Sequence, residues 1–298
     1  MLRTFDTNVD TESHFASFIL TSPDGYTAIV ETSTHIAAPK IIDYLNNNNI
    51  DLDKVLYVCV THLHLDHAGG CGALIQSLPN AKAVVHSAGA KFLIDPSVLN
   101  AASRAVYSDA VMDTVMGESV AIPEDRVIPA HDGMELKVGE YSLNCIFTHG
   151  HSWTHLCFYE NTTKVLFAGD LLGSLFTVNN KNLLVLISSP NQFNPPSWLQ
   201  SLDKVKELEI SKVMLTHFGE VEDVEWIISE TSELVNVHKN IAEKSEKHRI
   251  YQDLIDYYRT KSDVIGLDFD YLLSRFGDDF RISADGLVYY RNKLEKVQ

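Results

Sequence analysis

The stretch V-L-Y-V-C-V-T-H-L-H-L-D-H-A-G-G at 55–70 limits what this chain can fold into more than any other part of it. Val55–Val60 is an uninterrupted apolar run, which predicts a central strand buried on both faces. Three histidines and an aspartate follow within six positions, His62 to His67. Imidazoles side by side add little to a hydrophobic core, so the strand must deliver them for another purpose. His62 and His64 are two residues apart, and in an extended segment they point the same way. Asp66 and His67 fall where A-G-G begins a helix, so they face a neighbouring point. One short loop can thus feed two adjacent metal positions, and zinc or iron accepts such imidazole and carboxylate donors.

Four donors cannot close two sites, so further donors are expected downstream, and each candidate follows a predicted strand. T-H-G-H-S-W-T-H (148–155) comes after Tyr141–Phe147 and offers His149, His151 and His155. F-A-G-D (167–170) ends the strand Val165–Ala168 with Asp170, and L-T-H-F-G (215–219) ends Val213–Thr216 with His217. Sites at strand ends are a common way for an α/β scaffold to present chemistry.

The rest of the chain fits such a scaffold. Phe15–Leu20 and Tyr26–Glu31 flank S-P-D-G and read as a hairpin. Ala38–Leu45 and Ala68–Leu78 read as helices, Ala83–His86 as a strand, and 88–118 as mostly helical. Glu135–Val138 and Leu156–Tyr159 are further strands, and Trp198–Glu209 is a helix. After Gly219 the texture changes: Ile227, Leu234 and Ile241 recur every seven residues among charged ones, as an amphipathic helix requires. Ile250–Tyr258 and Phe269–Phe276 repeat the pattern, and D-G at 285–286 predicts a turn into a last segment, Leu287–Leu294. The boundary is placed between 219 and 220. This gives an α/β metal-binding body at 1–219 and a helical extension at 220–298, expected to pack on the body and able to serve as a pocket lid, a homodimer surface or a partner-binding module.

With H-x-H-x-D-H at 62–67, G-H at 150–151, A-G-D at 168–170 and T-H at 216–217 in this order, the chain resembles the metallo-β-lactamase superfamily over roughly residues 14–219. The resemblance implies a four-layer αββα sandwich with two metal ions at one edge. His62, His64 and His151 would hold the first ion, Asp66, His67 and His217 the second, and Asp170 would bridge them. It implies zinc, with iron or manganese as alternatives. It also implies a metal-dependent hydrolase in which a hydroxide shared by the ions attacks an ester-like bond, with Asp66 orienting its proton. The short T-H-L-H-L-D-H-A-G-G form is nearer to the glyoxalase II and lactonase groups than to the nucleases. That favours a thioester or lactone of a small molecule, although the basic cluster of a glutathione site is not evident. Two departures stand out. His149 replaces the proline of the usual T-P-G-H, and Glu31 stands where an aspartate usually supports a metal-binding histidine, so its longer arm can shift that ring.

Composition narrows the alternatives. The net charge of −16 repels phosphate backbones and anionic membranes, which argues against a nuclease or other phosphodiesterase. Within the superfamily the chain resembles, a di-iron redox or oxygen-binding protein usually has a carboxylate where His64 stands and a flavin-binding domain, and neither is expected here. No apolar run is long enough to span a membrane, and the N-terminus lacks signal architecture, so a cytoplasmic protein is expected. Cys59, Cys145 and Cys157 read as buried small hydrophobes. His155 is expected to support the 148–155 loop and His86 to be structural. His14, His35 and His131 carry no assignment, and His238 and His248 are expected in solvent. Trp153, Phe176, Phe193 and Trp198 are candidates for an apolar pocket or for core.

Overall fold

The computed structural model describes residues 1–296. The elements in chain order are β1 (Leu2–Asp6), β2 (Ala16–Thr21), β3 (Thr27–Val30), α1 (Ala38–Asn47), β4 (Val55–Cys59), α2 (Leu65–Ala68), α3 (Cys71–Ser77), β5 (Lys82–His86), α4 (Ala90–Ile94), α5 (Ser97–Val106), α6 (Asp109–Val111), β6 (Val127–Ala130), β7 (Glu135–Val138), β8 (Tyr141–Phe147), β9 (Leu156–Glu160) and β10 (Val165–Gly169). They continue with β11 (Ser174–Val178), β12 (Lys181–Val185), α7 (Pro195–Lys206), β13 (Lys212–Leu215), β14 (Gly219–Val221), α8 (Val224–Lys244), α9 (Ile250–Ile265) and α10 (Phe269–Glu295). The chain forms two compact units. One comprises Met1–Phe147, Thr154–Gly169 and Ile210–Glu222; the other comprises Thr148–Trp153, Asp170–Glu209 and the chain from Asp223 onward.

The first unit contains two six-stranded mixed sheets, ordered β1-β2-β3-β4-β5-β6 and β14-β13-β10-β9-β8-β7. Strands β3 to β6 run parallel, as do β10 and β13, and the remaining pairs are antiparallel. Side-chain alternation sorts each strand of the first sheet between two cores. Phe18, Leu20, Val30, Cys59 and Val84 pack with Leu143, Phe158, Phe167 and Met214 of the second sheet. Ile19, Ile29, Val58, Val60, Ala83 and Val85 face the other way, against Ile41 and Leu45 of α1 and Leu74 of α3. Burial on both faces is why β4 reads as an unbroken apolar run. The expected α/β sandwich therefore forms, and its strand ends carry the chain into the loops that hold the candidate ligands.

The second unit contains the hairpin β11–β12 and the helices α7 to α10. The extension expected at 220–298 is helical from Val224, and its last two positions lie outside the described residues. Among the described residues no helix is long and apolar enough to cross a membrane.

Several expectations need correction. D-G at 285–286 is not a turn, because α10 runs unbroken through it. Gly286 serves close approach instead: a Cβ there would lie 1.8 Å from the carbonyl oxygen of Ser188. Helix 68–78 is divided into α2 and α3. Strands β1, β6, β11, β12 and β14 were not foreseen. His238 is not in solvent but fully buried on α8.

Candidate metal centre

In the first unit, β4 ends at Cys59 and the loop that follows is pinned on both sides. Thr61 N–H donates to Glu31 Oε1 (3.0 Å), and Leu156 N–H donates to Thr61 O (2.9 Å). His62 Nδ1 lies 3.1 Å from Thr61 Oγ1, which turns its Nε2 to within 2.9 Å of His64 Nδ1. The chain then enters α2, whose first turn carries Asp66 and His67. The His67 carbonyl accepts from Thr32 N (2.9 Å) and Thr32 Oγ1 (2.7 Å), which ties this turn to the end of β3. His217 arrives two residues after β13, where Thr216 O accepts from Ala16 N (2.9 Å).

These elements bring Asp66, His67 and His217 together. His67 Nε2 and His217 Nε2 are 3.2 Å apart, and Asp66 Oδ2 lies 3.3 and 3.2 Å from them. The opposite nitrogens both face acceptors. His67 Nδ1 is 2.6 Å from Glu31 Oε2, and His217 Nδ1 is 2.9 Å from His14 O. Each Nδ1 therefore carries its hydrogen, and the neutral ring keeps a lone pair at Nε2. Two Nε2 atoms and a carboxylate oxygen then converge, an arrangement that a cation between them would satisfy. Donors on a tetrahedral ion at ~2.0–2.1 Å are separated by about 3.3 Å, which matches this triangle. The donor set thus fits a divalent metal. Without an ion, burial would raise the Asp66 carboxyl, and His67 and His217 rings carrying a second proton at Nε2 outweigh it and hold it well below the usual carboxylate range; a bound cation takes the place of those protons. The His62 ring continues the cluster, 4.0 Å from that of His67.

In the second unit, His151 Nδ1 faces Ile187 O at 3.0 Å, and its Nε2 lies 3.4 Å from Asp170 Oδ2. Trp198 meets the imidazole at right angles, with centroids 5.6 Å apart, and donates its own N–H to Leu171 O (2.8 Å). Gly150 precedes His151 with φ +143°, and a Cβ there would lie 2.4 Å from Trp198. Of the seven residues expected to bind metal, the structure gathers His62, His64, Asp66, His67 and His217 in one unit and pairs His151 with Asp170 in the other.

The other sequence candidates fall as follows. His155 is buried with its ring 5.1 Å from that of His62. His149 is exposed, while its carbonyl accepts from Ser201. His86 stacks on Phe147 at 3.8 Å and accepts from Ala88 N. Phe176, Phe193 and Trp198 are buried in the second unit and Trp153 is half exposed. All four cysteines are buried and free, and burial pushes the Cys71 and Cys145 thiols up to about 12, which makes them poor thiolate donors. Sequence reasoning missed Thr61, and it missed the carbonyls of His14 and Ile187 that face the rings of His217 and His151. A backbone acceptor has no residue identity, so no sequence signal marks it.

A sequence profile described as the metallo-beta-lactamase superfamily matches residues 10–217. The metallo-beta-lactamase fold-containing protein ST1585 of Sulfurisphaera tokodaii is 30% identical over 171 residues, covering 56% of this chain and 62% of that protein. A hydroxyacylglutathione hydrolase of Legionella pneumophila is 29% identical over 138 residues, covering 46% of this chain and 40% of that protein. The match thus spans less than two thirds of these relatives' own length. Among solved structures, the metallo-beta-lactamase family protein TTHA1429 from Thermus thermophilus superimposes with a TM-score of 0.67 at 19% identity, covering 99% of this chain and 94% of that one. ST1585 superimposes with a TM-score of 0.65 at 23% identity, covering 82% and 87%. The fold, the converging donor set and the match across residues 10–217 lead to one conclusion: this chain belongs to the metallo-beta-lactamase superfamily.

Proposed function

We propose that the protein is a dinuclear metal-dependent hydrolase that cleaves an ester-like bond of a small molecule, a thioester or lactone. His62, His64 and His151 would hold one ion and Asp66, His67 and His217 the other, with Asp170 available to both. The observation that carries this reading is the triangle of Asp66 Oδ2, His67 Nε2 and His217 Nε2, with both Nδ1 atoms committed to acceptors. Ions bound there, zinc in the first instance, bring the pKa of water toward ~7 and polarise a carbonyl oxygen. The chain's own groups do the rest. Glu31 Oε2 and the His14 carbonyl fix which nitrogen of each ring is offered. Asp66 Oδ2 faces the two imidazoles, and its second oxygen holds and orients a proton of the attacking water. A thioester is supported by the Legionella relative's name, since an acyl group on glutathione is joined through sulfur.

The test is acid release, followed with a pH indicator on metal-loaded protein. The panel is a glutathione thioester, an acyl-homoserine lactone, a β-lactam and a phosphodiester. Turnover of the thioester or lactone that a chelator abolishes is the expected result. Turnover that survives the chelator, or turnover of the phosphodiester alone, overturns the reading.

A further inference from the structure

Ile187, whose carbonyl accepts from His151, lies in a strap of three residues, Leu186–Ser188, directly after β12. In extended backbone the N–H and C=O of one residue point to one side, and those of the next residue point to the other. The strap follows this alternation. Leu186 N donates to Tyr258 Oη (3.0 Å), Leu186 O accepts from Ser283 Oγ (3.4 Å), and Ser188 N donates to Ser283 Oγ (3.1 Å). Ile187 O points away from these helices, to His151.

The Ser188 side chain extends the grip. Its Oγ is 2.8 Å from His238 Nδ1, and His238 Nε2 is 3.1 Å from Tyr258 Oη. One residue from each of α8, α9 and α10 therefore holds the strap, and Ser188, His238, Tyr258 and Ser283 are all fully buried. Tyr258 Oη accepts from Leu186 N–H and shares one hydrogen with His238 Nε2. His238 Nδ1 shares another with Ser188 Oγ, the neutral ring donating on one side and accepting on the other. Ser283 Oγ accepts from Ser188 N and donates to Leu186 O. The imidazole is neutral in this scheme, and burial pushes its pKa down to about 3. Burying an imidazole, a phenol and two hydroxyls is costly unless every group is satisfied, and apolar side chains would pack the same helices without that demand. What this set does that an apolar core would not is fix the direction of the strap's peptide groups.

We infer that Ser188, His238, Tyr258 and Ser283 are positioning residues, through which the helical extension aims the Ile187 carbonyl, fixes the His151 ring by its Nδ1–H and leaves Nε2 for an ion. The inference rests on the reading of His151 as a metal ligand.

The test compares His151→Ala, Tyr258→Phe, Ser283→Ala and Phe276→Leu in the full chain. Affinities for Zn²⁺ and Co²⁺ come from chelator competition, the Co²⁺ absorption spectrum reports the ligand field, and thermal melts control for folding. Phe276, on α10 two turns before Ser283, packs edge-on against Phe176 in the same unit. His151→Ala is expected to abolish tight binding of one ion. Tyr258→Phe and Ser283→Ala should weaken that same ion about tenfold or more and shift its Co²⁺ bands, leaving the other ion unaffected. Phe276→Leu should leave both affinities within about twofold. Wild-type affinity in Ser283→Ala and Tyr258→Phe, beside a loss in His151→Ala, overturns the positioning role alone. Equal weakening in Phe276→Leu also overturns it, since general loosening would then suffice. Undiminished binding of both ions by His151→Ala overturns the ligand assignment itself.

Discussion

Glu31 holds two parts of the centre with one carboxylate. Oε1 accepts from the Thr61 amide and Oε2 from His67 Nδ1, and the group is fully buried at the end of β3, where its backbone takes a φ of +66°. Glu31→Gln keeps the shape but leaves one acceptor where two donors need one each. Affinity for the ion at Asp66, His67 and His217 should fall about 10–100-fold, with an unchanged circular dichroism spectrum. Chelator competition checks this, and wild-type affinity would show that Glu31 does not orient the ring. Asp170→Ala should lose at least one ion and nearly all hydrolysis while the fold survives. A fully active, metal-replete variant would remove Asp170 from the bridging position. At this scale the donor residues were legible because histidine and aspartate at strand ends are chemically conspicuous. The carbonyls of His14 and Ile187 were not, because any residue supplies one.

Elements differ in how plainly the sequence marks them. Strands buried on both faces, such as β4, announce themselves as apolar runs. Strand β1 does not: L-R-T-F-D alternates weakly, and all five residues are only partly buried at the sheet edge. The β11–β12 hairpin did leave a signal, since Asn179 and Asn180 both take positive φ (+52° and +62°) between two alternating segments, as a tight hairpin turn requires. The D-G of α10 misled because a turn dipeptide can also mark close packing. Gly286→Ala tests that point. Helix propensity alone favours alanine by ~1 kcal/mol. The contact with Ser188 O predicts the opposite sign, a loss of roughly 1–3 kcal/mol from overpacking, read from urea midpoints. A stabilised variant would mean that α10 does not press on the strap.

The molecule as a whole divides its expected ligands between two compact units, and no local pattern could show this, because unit membership is decided by long-range packing. Its response to acid should carry the mark of His238. An unfolded histidine titrates near 6.5, whereas burial lowers His238 to about 3. Between those values the unfolded chain binds a proton that the folded chain refuses. Stability is therefore complete above about pH 6.5 and falls as the pH drops toward 3, by up to about 1.4 kcal/mol per unit from this group. The His238 ring proton resonance should stay fixed from about pH 8 to pH 5, and a shift centred near 6.5 would contradict the burial. The central claim concerns the ions. The measurement that tests it most directly is to strip the protein, titrate Zn²⁺ back, and follow bound metal and thioester or lactone turnover in the same samples. The account predicts no turnover without metal, two ions bound at saturation, and turnover that appears only as the sites fill. Turnover by the stripped protein, or saturation at fewer than two ions, would contradict it.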